Sequence, residues 1–273
     1  MTILHPATPA NVVRSFTRQR GLIWELARRD FIGRYKGSIL GIAWSLFNPL
    51  LMLAIYTVVF SVAFKARWGG GEEGRVAFAI ILFSGMIVHG FFAECLNRAP
   101  SLIISHPSYV KKVAFPLEVL PWVALCSALL HFCVGFAVLL VFCFCSGTAI
   151  QVGAILAPVI LLPLISCALG LTWILASLGV YLRDLAQSMG LVTTILLFLS
   201  PVFYPTDALP ETYQAFIKLN PLTLPIIQLR ELVLWGKPVD WQAWAINLLF
   251  GIAIAWAGYW WFQKTRRGFA DVL

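Results

Sequence analysis

Residues 119–182 read VLPWVALCSALLHFCVGFAVLLVFCFCSGTAIQVGAILAPVILLPLISCALGLTWILASLGVYL, a run of 64 without one Asp, Glu, Lys or Arg. A charge at the centre of a bilayer costs roughly 2.5–3.5 kcal/mol on the insertion scale, so a run this long is what a membrane allows. As one helix it would reach about 96 Å, some three times the hydrocarbon thickness of a bilayer. It must therefore turn. The only polar cluster near its middle is Ser146-Gly147-Thr148, with Gln151 and Gly153 close behind, and the turn is expected there.

Working outward, four further charge-free runs appear: Gly37–Phe64, Val76–Ala93, Leu185–Thr206 and Trp241–Gln263. With the long run counted twice, the chain reads as an all-α integral membrane protein of six transmembrane helices. Composition agrees, since 60% of residues are hydrophobic, only 12% are charged, and mean hydropathy is +0.85. A soluble domain carries about 25% charged residues. Disordered chains, disulfide-stapled secreted domains and ordinary cytosolic enzymes are excluded on these grounds. The six cysteines lie in or beside spans, without the spacing of a metal clip or redox motif, and read as small packing residues.

Orientation follows from the basic residues. Seven lie between Arg14 and Lys36, and Arg98, Lys111, Lys112, Arg183, Lys264, Arg266 and Arg267 fall on the same side of the six-span trace. Lys65, Arg67, Arg75, Lys218, Arg230 and Lys237 fall on the other. Both termini are expected in the cytoplasm, dividing the chain into an N-terminal segment (1–36), a membrane domain (37–263) and a tail (264–273). The first 36 residues hold no apolar core of signal-peptide length, so the first span is expected to direct insertion. The basic side suits anionic lipid. No nucleic-acid-binding module is present in the pattern.

Three stretches lie outside the spans. Val13–Tyr35 mixes apolar and charged residues, with Trp24, Ala27 and Phe31 at helical spacing. It reads as an amphipathic helix at the membrane surface, either a lipid anchor or a docking surface. The loop 98–118 contains Pro107 and Pro116 flanking a Lys pair, which fits a short helix between the prolines or a passive loop. The segment 206–240 holds two apolar pieces, Leu209–Leu219 and Leu222–Trp235, broken at Asn220-Pro221. Each is too short to cross the membrane. Two short helices dipping into the outer leaflet are expected, with Arg230 and Glu231 requiring partners. Asn48-Pro49 predicts a kink in the first span.

No catalytic or metal constellation emerges from the four scattered histidines, and the chain has no phosphate-loop motif, so it reads as no enzyme. His89 and Glu94 are the ionisable exceptions in the second span. Five residues apart, they point about 140° from one another on a helix. Glu94 is expected to pair locally with Arg98 at i,i+4.

The motifs then carry a resemblance. Arg34-Tyr35-Lys36-Gly37 with Leu40-Gly41, Trp44 and Asn48-Pro49 comes first; Val110-Lys111-Lys112-Val113 with Phe115-Pro116 and Leu120-Pro121 follows. Tyr181-Leu182-Arg183-Asp184-Leu185, Ser200-Pro201-Val202-Phe203-Tyr204-Pro205, Asn220-Pro221 and Arg230 complete the series. In order and spacing, from about residue 20 to 265, the chain resembles the membrane-spanning subunits of type-2 ABC exporters of cell-surface polysaccharide. That group includes the O-antigen and teichoic acid permeases.

The resemblance implies a bacterial inner-membrane homodimer working with two ATP-binding-cassette subunits, which would hold the ATP and Mg; no cofactor is expected on this chain. It implies that Arg20, Trp24, Arg28, Arg29, Arg34 and Tyr35 on the N-terminal helix, with Lys111 and Lys112 on a coupling helix, contact the ATPase. Leu209, Asn220, Pro221 and Arg230 would belong to re-entrant gate helices. Lipid-linked polysaccharide would pass through a channel at the dimer interface, with Tyr56, Phe60, Phe198, Phe203 and Tyr204 as candidate lining, because sugar rings present apolar faces to aromatics. Competing readings are a permease of this type for another cargo (teichoic acid, capsule, drug or lipid) and a proton-coupled secondary carrier. The carrier would want midplane acids and internal repeats, which the sequence does not display.

Overall fold

The computed structural model describes residues 9–59, 75–110 and 115–273. Phe60, Lys111 and Lys112 lie outside the described residues. All regular structure among those described is helical. Helix α1 (Pro9–Gly33) is followed by α2 (Trp44–Val58), α3 (Arg75–Arg98) and the one-turn α4 (Pro107–Val110). Then come α5 (Val119–Cys145), α6 (Ala157–Ile160), α7 (Leu162–Tyr181) and α8 (Leu185–Phe198). Last are α9 (Glu211–Lys218), α10 (Thr223–Arg230), α11 (Trp241–Thr265) and α12 (Phe269–Val272).

The long run turns where its polar cluster sits. Gly147 takes φ 71°, its N–H donates to the Phe144 carbonyl at 3.2 Å, and the Thr148 N–H donates to Cys143 at 3.0 Å. This paired closure is the Schellman stop, which needs a left-handed residue at its hinge and finds glycine there. The chain re-enters through a 3-10 turn, Val152–Leu156, and α6 before α7.

Five helical stretches are long and apolar enough to cross a membrane: Gly41–Val58, Val76–Ser101, Val119–Cys145, Val152–Tyr181 and Trp241–Val272. The sixth expected span is different. The apolar run reaches Thr206, but α8 stops at Phe198 after 14 residues. Pro201 has no N–H to continue a helix and disfavours helical geometry in the residue before it. The first run is also shorter as a helix than as a sequence. Turns around Gly37 (φ 90°) and Gly41 (φ 52°) precede α2, which carries Pro49 in its interior.

Apolar all round, α3 is the central helix and packs against α2, α5, α7, α8 and α10. Ile80, Leu82, Val88, Phe92 and Cys95 are sealed in its surroundings. By contrast α2 buries only Leu53, leaving Leu46, Phe47, Leu50, Ile55 and Val58 exposed. Helices α7 and α11 meet backbone to backbone. A Cβ on Gly258 would sit 2.2 Å from the Gly170 carbonyl oxygen, and one on Gly170 would sit 2.4 Å from that of Ile254. Small residues are what permit so close an approach between membrane helices.

The N-terminal helix is amphipathic as expected, but its buried row is Ile23, Ala27 and Phe31. Ile23 and Ala27 pack with Val119 and Val123 of α5. Trp24, one position away and so about 100° round the helix, is 56% exposed. Farther back, Phe16 meets the Trp122 ring at 4.8 Å and the Trp122 indole N–H donates to Ser15 at 3.1 Å.

Candidate functional site

The C-terminal end of α1 enters a charged cluster between α3 and α5. The Arg34 guanidinium pairs with Glu94 of α3, lies 3.4 Å from Asp30, and donates to Ser127 Oγ of α5 at 3.1 Å. Arg98 closes the circuit, 2.7 Å from Asp30 Oδ1 and 3.6 Å from Glu94 Oε1. His131 of α5 faces the other Glu94 oxygen at 3.0 Å, while the Tyr35 hydroxyl meets its Nε2 at 2.8 Å. Three helices are thereby fastened by charge-assisted hydrogen bonds in a partly dry setting, where such bonds are strong.

Burial alone would push the Asp30 carboxyl up. The hydrogen bond with Ser127 and the guanidinium groups of Arg98 and Arg34 outweigh it and hold the group below the ordinary 3.8. Asp30–Arg34 and Glu94–Arg98 are visible in sequence as two local i,i+4 pairs. Their union into one cluster, with His131 and Tyr35, is a tertiary event that spacing does not announce. His89 stands apart, its Nε2 2.9 Å from the Thr193 carbonyl of α8.

Beside the cluster is a cavity of about 370 Å³. Its lining combines Arg34, Tyr35, Asn48, Glu94 and His131 with Met52, Tyr56, Phe83, Phe91 and Phe132. Pro49 is in the α2 wall. Of the candidate channel aromatics, Tyr56 is in this lining. Phe198 and Phe203 instead stack at 5.5 Å beyond α8, where the Tyr204 hydroxyl donates to the Phe198 carbonyl at 2.9 Å.

The other candidate contacts spread along α1. Arg20, Trp24 and Arg28 are exposed. Arg29 donates to the Tyr109 hydroxyl at 3.1 Å. Tyr109 is sandwiched between His106 (5.2 Å) and Phe115 (4.3 Å), so an aromatic stack ties the α4 loop to α1. The described part of the expected Pro107–Pro116 helix is the single turn α4; Phe115 and Pro116 are not helical. Tyr109 was not singled out by its sequence pattern.

At the opposite end of α3, Arg230 is 2% exposed. Its guanidinium donates to the Ile81 carbonyl (3.0 Å), Ser84 Oγ (3.2 Å), the Val202 carbonyl (3.0 Å) and the Pro201 carbonyl. The partners the sequence required are therefore carbonyls and a hydroxyl, and Glu231 pairs with Lys237 at 3.2 Å. Asn220 bonds Ser200 Oγ at 3.0 Å and accepts from the Leu222 N–H at 3.0 Å, shaping the turn that Pro221 completes between α9 and α10. Leu209 is not part of the first helix: it is extended (φ −100°, ψ 147°) ahead of Pro210, and α9 begins at Glu211.

Apolar helices of membrane length, wrapped about a central helix and joined by a charged cluster next to a cavity, define a multi-pass integral membrane protein. Residues 21–234 match the model of the ABC-2 type transporter family, and the chain belongs to that family. As a member, it is a transport component that partners an ABC ATPase subunit. It is similar to the O-antigen export system permease protein RfbA of Myxococcus xanthus, 26% identical over 95% of this chain and 98% of that one. It is likewise similar to RfbA of Klebsiella pneumoniae, 26% identical over 92% and 95%. The polysialic acid transport protein KpsM of Escherichia coli is 22% identical over 81% and 84%.

Proposed function

We propose that this chain is the membrane-spanning subunit of an ATP-driven exporter of lipid-linked polysaccharide of the O-antigen class, set in a bacterial inner membrane. The observation that carries the proposal is the end-to-end similarity, over 98% of the relative's length, to a permease named for O-antigen export. In this reading α8 and its following turn form the sixth span, both termini are cytoplasmic, and α9 and α10 are re-entrant helices at the outer mouth. Two copies enclose the channel and two ATPase subunits bind ATP and Mg below them.

The residues then divide the work. The exposed basic side of α1, with the loop carrying Lys111 and Lys112, receives the ATPase. Movement of α1 passes through Arg34 and Asp30 to α3 and α5, and Arg29–Tyr109 keeps the loop in step. Arg230 fastens α10 to α3, so the outer helices answer to the same central element. Aromatics such as Tyr56, Phe198, Phe203 and Tyr204 offer sugar rings flat apolar surfaces without holding them tightly. Export of a different cell-surface polymer is the second reading, favoured by the similarity to KpsM.

The test is co-purification with an ABC ATPase subunit, followed by ATP hydrolysis in lipid vesicles with and without lipid-linked polysaccharide. A stable complex whose hydrolysis responds to the polymer, and is uncoupled by Lys111→Ala or Lys112→Ala, is the expected result. Transport driven by an ion gradient with no ATPase bound would refute it.

A further inference from the structure

The cavity between α2, α3 and α5 has a mixed lining that the packing of helices does not require. Tyr35, Asn48, Glu94 and His131 bring polar groups to the lining, and Tyr56, Phe83 and Phe91 bring aromatic surface. At about 370 Å³ it is within the size range of small-ligand sites. Asn48 is an exposed residue of α2, and its side-chain amide reaches the lining of this cavity. An amide there can both donate to and accept from a polar ligand.

Charge decides the ligand's chemistry. Within the lining Arg34 is matched by Glu94, and its guanidinium also reaches Asp30 and Ser127. A phosphate would have to displace a carboxylate from Arg34. A neutral polyhydroxyl ligand would not, because its hydroxyls can donate to Glu94 and the Tyr35 oxygen and accept from the Asn48 amide at once. Its C–H faces suit the aromatic wall.

We propose that this cavity is a binding site for one or two neutral sugar units of the exported glycan, held within a single subunit beside the channel. The inference rests on the exporter reading and deepens it, since it places a glycan contact next to the cluster that fastens α1. Glycan occupying the cavity would touch Glu94 and His131 directly, and would thus bear on the same groups that hold α1 to α3 and α5.

The experiment uses the full exporter in cells making their own lipid-linked glycan. The photo-reactive residue p-benzoylphenylalanine replaces Tyr56 or Met52 in the cavity wall, and Phe250, 60% exposed on α11, as the control. A second variant, Gly90→Leu, fills the cavity, because a Cβ at Gly90 meets nothing within 4 Å. Expected are glycan adducts at positions 56 and 52 and none at 250. Gly90→Leu should reduce the adducts and polymer export at least fivefold, while the complex assembles and melts as the parent does.

Phospholipid adducts in place of glycan would make the cavity a lipid site and overturn the proposal. Glycan adducts and export untouched by Gly90→Leu would place the polymer elsewhere and overturn it equally. In both cases export by the parent complex leaves the exporter reading standing. Failure of the chain to associate with an ATPase or to export any glycan would remove that reading, and this proposal with it.

Discussion

The Nε of Arg230 donates to the carbonyl oxygen of Ile81 at 3.0 Å, joining residues 149 positions apart and fastening α10 to the N-terminal part of α3. The guanidinium continues to Ser84, Pro201 and Val202, so one side chain on α10 bonds polar groups of both α3 and the turn after α8.

Replacing it should be costly. Arg230→Met removes the donor from the Pro201 and Val202 carbonyls, each worth about 1–3 kcal/mol when unpaired, and a loss of about 3 kcal/mol or more is expected. A Cβ at Gly85 would meet Arg230 Nη2 at 2.4 Å. Gly85→Ala should therefore destabilise the parent yet be nearly neutral in Arg230→Met, a non-additivity that thermal melts of the four proteins in detergent would reveal.

Arg34 and Glu94 should behave as a coupled pair across helices. Each side chain keeps some exposure, 29% and 18%, which limits the coupling to about 1 kcal/mol. A double-mutant cycle with Arg34→Ala and Glu94→Ala measures it, with release of α1 read by protease sensitivity. Equal and additive losses would show that the pair does not communicate.

Asp30 makes part of the hold on α1 dependent on pH. Its carboxyl is held below 3.8 in the fold, so the unfolded state takes up its proton first as pH falls. The stabilisation is thus fully present above about pH 4 and is lost as pH drops through the folded value. The stability gap between the parent and Asp30→Asn should stay flat from pH 8 to pH 5 and close below pH 4. A gap that instead widened on acidification would contradict the arrangement.

Glycines in this chain should divide sharply by position. Gly258→Ala drives a Cβ to 2.2 Å from the Gly170 carbonyl, whereas a Cβ at Gly190 on α8 meets nothing within 4 Å. The first substitution should cost at least about 2 kcal/mol through overpacking. The second should be neutral or stabilise by up to about 1 kcal/mol, the helix preference of alanine over glycine. Melting temperatures of the two variants test the contrast.

Spans and turn positions were legible because absence of charge is a local property: the Ser146-Gly147-Thr148 turn and the break at Asn220-Pro221 occur where the residues predict them. The amphipathic character of α1 was legible too. Which row faced inward was not, since Ile23 and Trp24 are both large and apolar and only α5 decides between them. The early stop of α8 was hidden by an apolar run that continues past Pro201. The charged cluster was hidden for another reason, because Asp30, Glu94 and His131 come from three helices and meet only when those helices pack.

The two clasps on α3 have a mechanical corollary. Ile81, held by Arg230, and Glu94, held by Arg34, are thirteen residues apart, about 20 Å of uninterrupted helix. Between them Val88 and Phe92 are sealed, as are Ile80 and Cys95 near the two clasps. A stiff rod gripped along its length moves as one body, so a displacement at one clasp is carried to the other. A tilt of about 5° about its centre suffices for nearly 1 Å at each end of a rod this long.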